Sequence, residues 1–437
     1  MTNVRVLAQS SLTRPQVVGV LAAVLLGSTL RSATGAEDWP SWRGPRGTGS
    51  VPSGSIPSQW TTNTVAWKAE LPGKGGSTPI VVGQRVILTC PSGGEDAVLA
   101  FDTSGKRLWS TSLGPESSAK HRTLGSSCNA SPVSDGTLVF VSFKSGHFAA
   151  LDMSGAVKWK THLVERFGAE KLYWDAGSSP VVSGDQVILA RLHGGESWVA
   201  GFDKATGALR WRAERDFEAP SENDNGYATP VLVRHDGRDA FLLWGADRLT
   251  AHEAKDGALL WTAGGFNPGG KANWPAIATP VISGDIAVVP VGRDDRPGQA
   301  SLYGVRLGGR GDVTESHRVW AREDLGVFVT TPAEDQGRVY LLRHRGEVVC
   351  VNAGDGAVVW SDALPKGSAP YYASPLVVNG VLYAAREDGV VFVARVREKF
   401  EVLGENPMGE RIVATPVASG NRLLLRGDRH LLCVGGG

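Results

Sequence analysis

The stretch GFDKATGALRWRAE, Gly201–Glu214, runs from small and apolar residues through Asp203 to a Thr206-Gly207 pair, and sets Trp211 four residues past that glycine. The phrase recurs. AFDTSGKRLWS sets Gly105 four before Trp109, ALDMSGAVKWK sets Gly155 four before Trp159, AHEAKDGALLW sets Gly257 four before Trp261, and CVNAGDGAVVW sets Gly356 four before Trp360. Five copies with one internal spacing constitute a repeat.

A Ser/Thr-Pro pair precedes each copy and marks the period where the phrase has decayed. The pairs are Thr78-Pro79, Ser131-Pro132, Ser179-Pro180, Thr229-Pro230, Thr279-Pro280, Thr331-Pro332, Ser374-Pro375 and Thr415-Pro416. Successive prolines lie 53, 48, 50, 50, 52, 43 and 41 residues apart, a spacing that suits propeller blades and is too long for leucine-rich or ankyrin units. There are eight units.

After most of the prolines come two β-rich runs joined at glycine or asparagine, as in IVVGQRVILTC from Ile80 and VASGNRLLLRG from Val417. That is a hairpin signal, and no window holds a 3.6-residue period of helix length. A third short strand, the Gly turn that takes positive φ and a Trp-bearing fourth strand complete the unit. The expected fold is therefore all-β, an eight-bladed β-propeller of four-stranded antiparallel blades, with the indoles filling the gaps between sheets.

The eighth unit stops after its third strand at HLLCVGGG, while NTVAWKAELP, Asn63–Pro72, carries Trp67 ahead of the first Ser/Thr-Pro pair. This N-terminal strand is expected to complete the last blade and remove an open edge. Unit five is stretched by GRDDRPGQA and GGRGDVTESH, which reads as loop insertion, and unit seven has Phe400 near the expected tryptophan. The repeats claim residues 63–437, leaving 37–62 as an N-terminal extension.

Residues 1–36 differ from the rest. Arg5 and Arg14 precede an uncharged apolar stretch, Pro15–Leu30, and SATGA offers small residues for cleavage after Ala36. The segment reads as a secretory signal peptide, with an uncleaved N-terminal membrane anchor as the alternative, so the expected location is periplasmic or secreted. No cysteine follows the apolar core for a lipid anchor. Without Arg5, Arg14 and Arg31, 42 basic side chains remain against 44 acidic ones, which gives no footprint for nucleic acid. No membrane span is expected after cleavage, and the chain is expected to be a monomer.

Aligned third strands place Ala100, Ala150, Gly201, Ala251, Gly304, Cys350, Ala394 and Cys433 at one position, small in every unit. Cys350 and Cys433 thus read as small buried hydrophobes. Cys90 and Cys128 lie in neighbouring units, where pairing is open.

The pattern of small residue, apolar residue, Asp, Thr/Ser-Gly and Trp resembles the tryptophan-docking repeat of the pyrroloquinoline-quinone (PQQ)-type propellers, a superfamily that includes quinoprotein alcohol dehydrogenases and the BamB-like assembly factors. The opening EDWPSWRGPRGTG, with Trp39, Trp42 and Gly44, is similar to that of secreted bacterial PQQ-like repeat proteins. The dehydrogenase branch implies PQQ, Ca²⁺, an Asp base and a disulfide of adjacent cysteines. This chain has no Cys-Cys pair and no C-x-x-C-H, so no cofactor is expected.

A binding face would be formed by the segments leading into the Ser/Thr-Pro strands, which recur at one end of every blade. They supply Trp174, Tyr227, Trp274, Phe328, Tyr371 and Tyr372, with Asn129, Asp175, Asp224, Asn225 and Arg411 as polar company. Aromatics beside a few polar groups suit recognition of a protein segment or a glycan; the bland alternative is that the rings plug the channel. Ser221–Gly226, SENDNG, gathers oxygens that could hold Ca²⁺, but lacks the alternating acidic spacing and reads as a turn. The nine histidines show no metal-ligand spacing, and no hydrolase or phosphate-binding motif is present, so no catalytic residue is assigned. The resulting expectation is a non-catalytic, exported binding scaffold, with a PQQ-dependent dehydrogenase as the alternative.

Overall fold

In seven of the eight blades the small residue of the third strand meets the tryptophan of the fourth. In a computed structural model that describes residues 38–121 and 123–435, Ala100, Ala150, Gly201, Ala251, Gly304, Cys350 and Cys433 stand directly opposite Trp109, Trp159, Trp211, Trp261, Trp320, Trp360 and Trp67. Next to the pair the register slips in every blade but the last. A bulge of this kind bends the strand and re-aims its side chain. Here it accompanies an indole directed at the neighbouring blade.

The described strands form eight sheets in radial order, blade one being Ile80–Val82, Arg85–Ser92, Glu95–Asp102 and Arg107–Pro115. The glycine and tryptophan of one copy do not touch each other. Instead the indole of most blades lies on the turn glycine of the next. A Cβ on Gly155, Gly207, Gly257 or Gly356 would come within 2.5–2.6 Å of Trp109, Trp159, Trp211 or Trp320 respectively. These glycines sit at φ between +69° and +86°, so both the backbone and the indole demand the missing side chain. The indole nitrogens of Trp109, Trp159 and Trp320 then donate to backbone carbonyls of that neighbouring blade, at 2.9–3.1 Å.

The inner ends are joined by the Ser/Thr of the Ser/Thr-Pro pairs. The N–H of Thr78 donates to Ser131 Oγ, Ser131 to Ser179, Ser179 to Thr229, Thr229 to Thr279, Thr279 to Thr331 and Thr331 to Ser374, all at 2.9–3.1 Å. A hydroxyl at this place accepts the preceding blade's N–H around six consecutive joints. That is why the position stays Ser or Thr.

The ring closes where expected. Trp67–Glu70 pairs antiparallel with His430–Cys433 to complete blade eight, and Arg426 Nη1 donates to the Ser77 carbonyl of blade one at 2.8 Å. Two repeats depart from the pattern. Trp261 meets no turn glycine; the insertion of unit five returns as Gly311–Asp312 and pairs in parallel with Trp261–Thr262, leaving the ring 1% exposed. In blade seven the residue facing Ala394 is Val402, not Phe400. Phe400 precedes the fourth strand and packs on Trp360, centroids 5.6 Å apart, because blade seven offers no turn glycine to receive that indole. Cys90 and Cys128 are separate buried thiols, so the pairing option falls.

The segment from Asp38 runs across one face. Trp39 exchanges two backbone bonds with Val81 of blade one, the Pro40 carbonyl accepts from Ser134 of blade two, and Ser50–Val51 adds a parallel strand to Val377–Val378 of blade seven. Trp39, Ile56 and Trp60 enter the core shared by blades seven, eight and one. Residues 1–36, read above as a signal peptide, lie outside the described residues.

Candidate functional site

The loops leading into the inner strands surround an axial funnel of about 610 Å³. A narrower space of about 150 Å³ continues along the axis to Trp42 of the crossing segment. Of the sequence-derived candidates, Asn129, Trp174, Asp175, Tyr227, Phe328 and Tyr372 line the funnel.

Side chains of one loop hold the backbone of another. Asp175 accepts the N–H groups of Lys120 and His121 at 2.8 and 3.1 Å and pairs with Lys144 at 2.6 Å. Gly125 permits this approach, since a Cβ there would lie 2.0 Å from the Asp175 carboxylate. The blade-two loop therefore wraps the carboxylate and sets His121 against Trp174, ring centroids 4.9 Å apart. From blade four, Asn225 Oδ1 accepts the Tyr173 N–H at 2.8 Å and the Tyr227 hydroxyl accepts the Trp174 N–H at 3.0 Å. Burial pushes the Tyr227 hydroxyl up, so it stays protonated at neutral pH. Asp294 of blade five accepts the N–H groups of Phe328 and His344 at 2.8 and 2.6 Å, and burial raises its pKa.

The remaining candidates do other work. Asn225 also donates to Asp224 at 2.6 Å, and the two brace the loop rather than line the funnel. Trp274 is buried in the core cluster that also holds Phe266 and Tyr303, with its indole nitrogen on Gln299 at 3.2 Å. Tyr371 is 2% exposed and packs beside Phe392. Arg411 lies at the rim, donating to the Thr123 carbonyl at 2.6 Å between Glu387 and Asp428.

Sequence reading missed Tyr173, His121, His344, Arg293, Asp295 and Arg296. Tyr173 is the most exposed aromatic of the mouth, at 62%. Arg293 stacks on Phe328 at 4.3 Å and grips Asp295 with two bonds of 2.9 and 2.7 Å, which raises the guanidinium pKa further. These three charged residues belong to GRDDRPGQA, and that stretch was the available signal: an insertion rich in charge at the funnel end of a blade.

Calcium needs several convergent oxygens. Of the three funnel carboxylates, Asp175 is committed to Lys144 and two N–H groups and Asp295 to Arg293, which leaves Glu222 and too few convergent oxygens. In Ser221–Gly226, Asn223 is buried and spends its amide on Asp247, Lys271 and Trp274. Among the described residues no three His, Cys, Asp or Glu converge as metal ligands. The donor set does not fit a calcium-held quinone. No helix among the described residues is long and apolar enough to cross a membrane.

The fold has many solved counterparts. BamB from Moraxella catarrhalis superposes with a TM-score of 0.62 at 17% identity, over 85% of this chain and 99% of that one. A europium-containing methanol dehydrogenase gives 0.65 at 13% identity, over 90% and 89%, and the quinohemoprotein alcohol dehydrogenase from Comamonas testosteroni gives 0.60 at 14%, over 92% and 81%. No curated protein matches the sequence. The family described as outer membrane protein assembly factor BamB matches residues 58–196, 195–300 and 310–398. With most of its length covered by those matches, the chain belongs to the BamB family of PQQ-like repeat propellers.

Proposed function

We propose that this propeller is a non-catalytic recognition scaffold of the cell envelope that takes a segment of a partner protein into its axial funnel. The observation that carries the reading is the bracing of the mouth: Trp174, Tyr173 and Phe328 are each held by a side-chain bond from another loop. Aromatic anchors fixed before binding lose little freedom when a partner arrives, which is how a modest surface achieves useful affinity. The funnel walls alternate rings with polar groups that suit a peptide backbone. The N-terminal pattern of Arg5, Arg14 and an apolar run supports export, and the BamB relationship supports a protein partner. Against a dehydrogenase stand the absent Cys-Cys pair and the commitment of Asp175 and Asp295 to cationic and N–H partners, although the shared scaffold keeps that chemistry as the competing reading.

The test is capture of partners from native envelope by purified wild type and by Trp174→Ala and Tyr372→Ala, with melting temperatures measured alongside. Each substitution should weaken capture of the same protein by ~1–3 kcal/mol with little change in melting. Capture of a polysaccharide would reassign the ligand as a glycan, and unchanged capture by both variants would remove the funnel from the proposal.

A further inference from the structure

The opposite face carries a second cavity of about 510 Å³, between the crossing segment and the inner strands of blades two to five. The inner strands of blades one, two, six, seven and eight are fully buried, whereas those of blades three, four and five are less covered. Val182, Val231 and Ile282 are half-buried there and Leu232 is 43% exposed, which gives the cavity an apolar wall. Among the described residues the charged ones that line it are Arg43 and Arg46, with no carboxylate.

Arg43 is buried, with 5% of its surface exposed, and lines the cavity. Its Nη2 donates to the Pro332 and Pro375 carbonyls at 2.9 and 3.1 Å, while Nε and Nη1 have no partner among the described residues. Burial pulls it down to about 9, with no carboxylate working the other way. Arg191, equally buried, has Glu170 at 3.4 Å. A buried cation without a counter-anion is costly, and an unsatisfied buried donor in a native fold calls for an explanation. Arg46 is exposed at the cavity and touches Ser50 Oγ at 3.0 Å.

We propose that this cavity binds a monocarboxylate with an apolar body, its carboxylate at the Arg43–Arg46 pair and its hydrocarbon along Val182, Val231, Leu232 and Ile282. The charge of the lining selects an anion, the wall selects a hydrophobic tail, and the volume falls in the range of small-ligand pockets. The site is separate from the funnel and stands or falls independently of it.

Calorimetric titration with decanoate tests it, with decanol supplying the tail without the charge and acetate the charge without the tail. Wild type should take up one decanoate per chain and bind decanol and acetate far more weakly. Arg46→Gln should weaken decanoate ~10-fold, as expected for loss of one charge-assisted contact, and Leu232→Glu should abolish uptake by placing a like charge on the wall. Both side chains are exposed, so the fold should tolerate both changes. Absence of decanoate binding, equal binding of decanol, or indifference to both substitutions would each overturn the proposal.

Discussion

Trp67 and Gly105 lock the two ends of the ring. Trp67 completes the last blade, its indole lies on the turn glycine of the first blade where a Cβ would be 2.6 Å from the ring, and its nitrogen donates to the Thr103 carbonyl at 2.9 Å. The same contact joins other neighbouring blades, so closure reuses the repeat's own joint.

Gly105→Ala should therefore cost more than an ordinary positive-φ glycine. Gly136 supplies the control, with φ of +91° and open space around it. Gly136→Ala should lose ~1 kcal/mol for the backbone alone, and Gly105→Ala should lose at least ~1 kcal/mol more by displacing Trp67. Denaturant unfolding measures both. Equal losses would mean that the indole docking contributes nothing.

The inter-blade hydrogen bond can be separated from the indole's bulk. Trp320 donates to the Ala353 carbonyl at 2.9 Å, whereas the Trp360 nitrogen is buried with no partner. Trp320→Phe should cost ~1 kcal/mol more than Trp360→Phe, since only the first loses a bond and strands an acceptor. Thermal unfolding of the two variants decides it.

Much of this was legible in sequence because repetition reveals position without chemistry. Eight Ser/Thr-Pro pairs gave the blade count, yet the reason for the hydroxyl, Ser131 accepting from Thr78 and so on around the axis, needs the neighbouring blade in view. Gly155 and Trp159 share one phrase, while the indole that lies on Gly155 is Trp109 of the previous copy. The return of Gly311–Asp312 to Trp261 carries no strand signature, since two residues are too few for alternation to show. At the funnel, loop aromatics could be counted but not aimed: adjacent Tyr371 and Tyr372 point into the core and the funnel respectively. For Arg293 and Asp295 the charged insertion was the one signal, and it could not be aligned because an insertion has no counterpart in other repeats.

Tyr227→Phe should loosen the mouth without emptying the core. It removes the hydroxyl that accepts the Trp174 N–H and keeps the buried ring. Hydrogen exchange at the Trp174 amide should accelerate ~5-fold or more, corresponding to loss of one hydrogen bond, while amides of the inner strands stay protected. An unchanged Trp174 amide would show that the mouth is not braced this way.

Acid should destabilise blade four through His252. The ring is 2% exposed, stacked on Phe241 at 5.3 Å and bonded to the Gly257 carbonyl and Thr250, and burial lowers its pKa to about 4 from 6.5. Between those values the unfolded chain binds the proton more readily, so this contribution is complete above pH 6.5 and falls away as pH drops toward 4. It amounts to ~3 kcal/mol at full loss. His252→Gln should flatten the stability profile in that window by about one proton; an unaltered slope would exclude the histidine as its source.

Recognition through the funnel is tested most directly by site-specific photo-crosslinking in the native envelope, with the probe at Tyr173 on the mouth and, for comparison, at Leu108 on the open outer strand of blade one. Both positions are exposed, at 62% and 44%. The expected result is a discrete adduct with one partner protein from Tyr173 and none from Leu108. An adduct only from Leu108 would move recognition to a blade edge, and no adduct from Tyr173 together with stoichiometric, calcium-dependent uptake of PQQ and dye-linked alcohol oxidation would replace the scaffold with an enzyme.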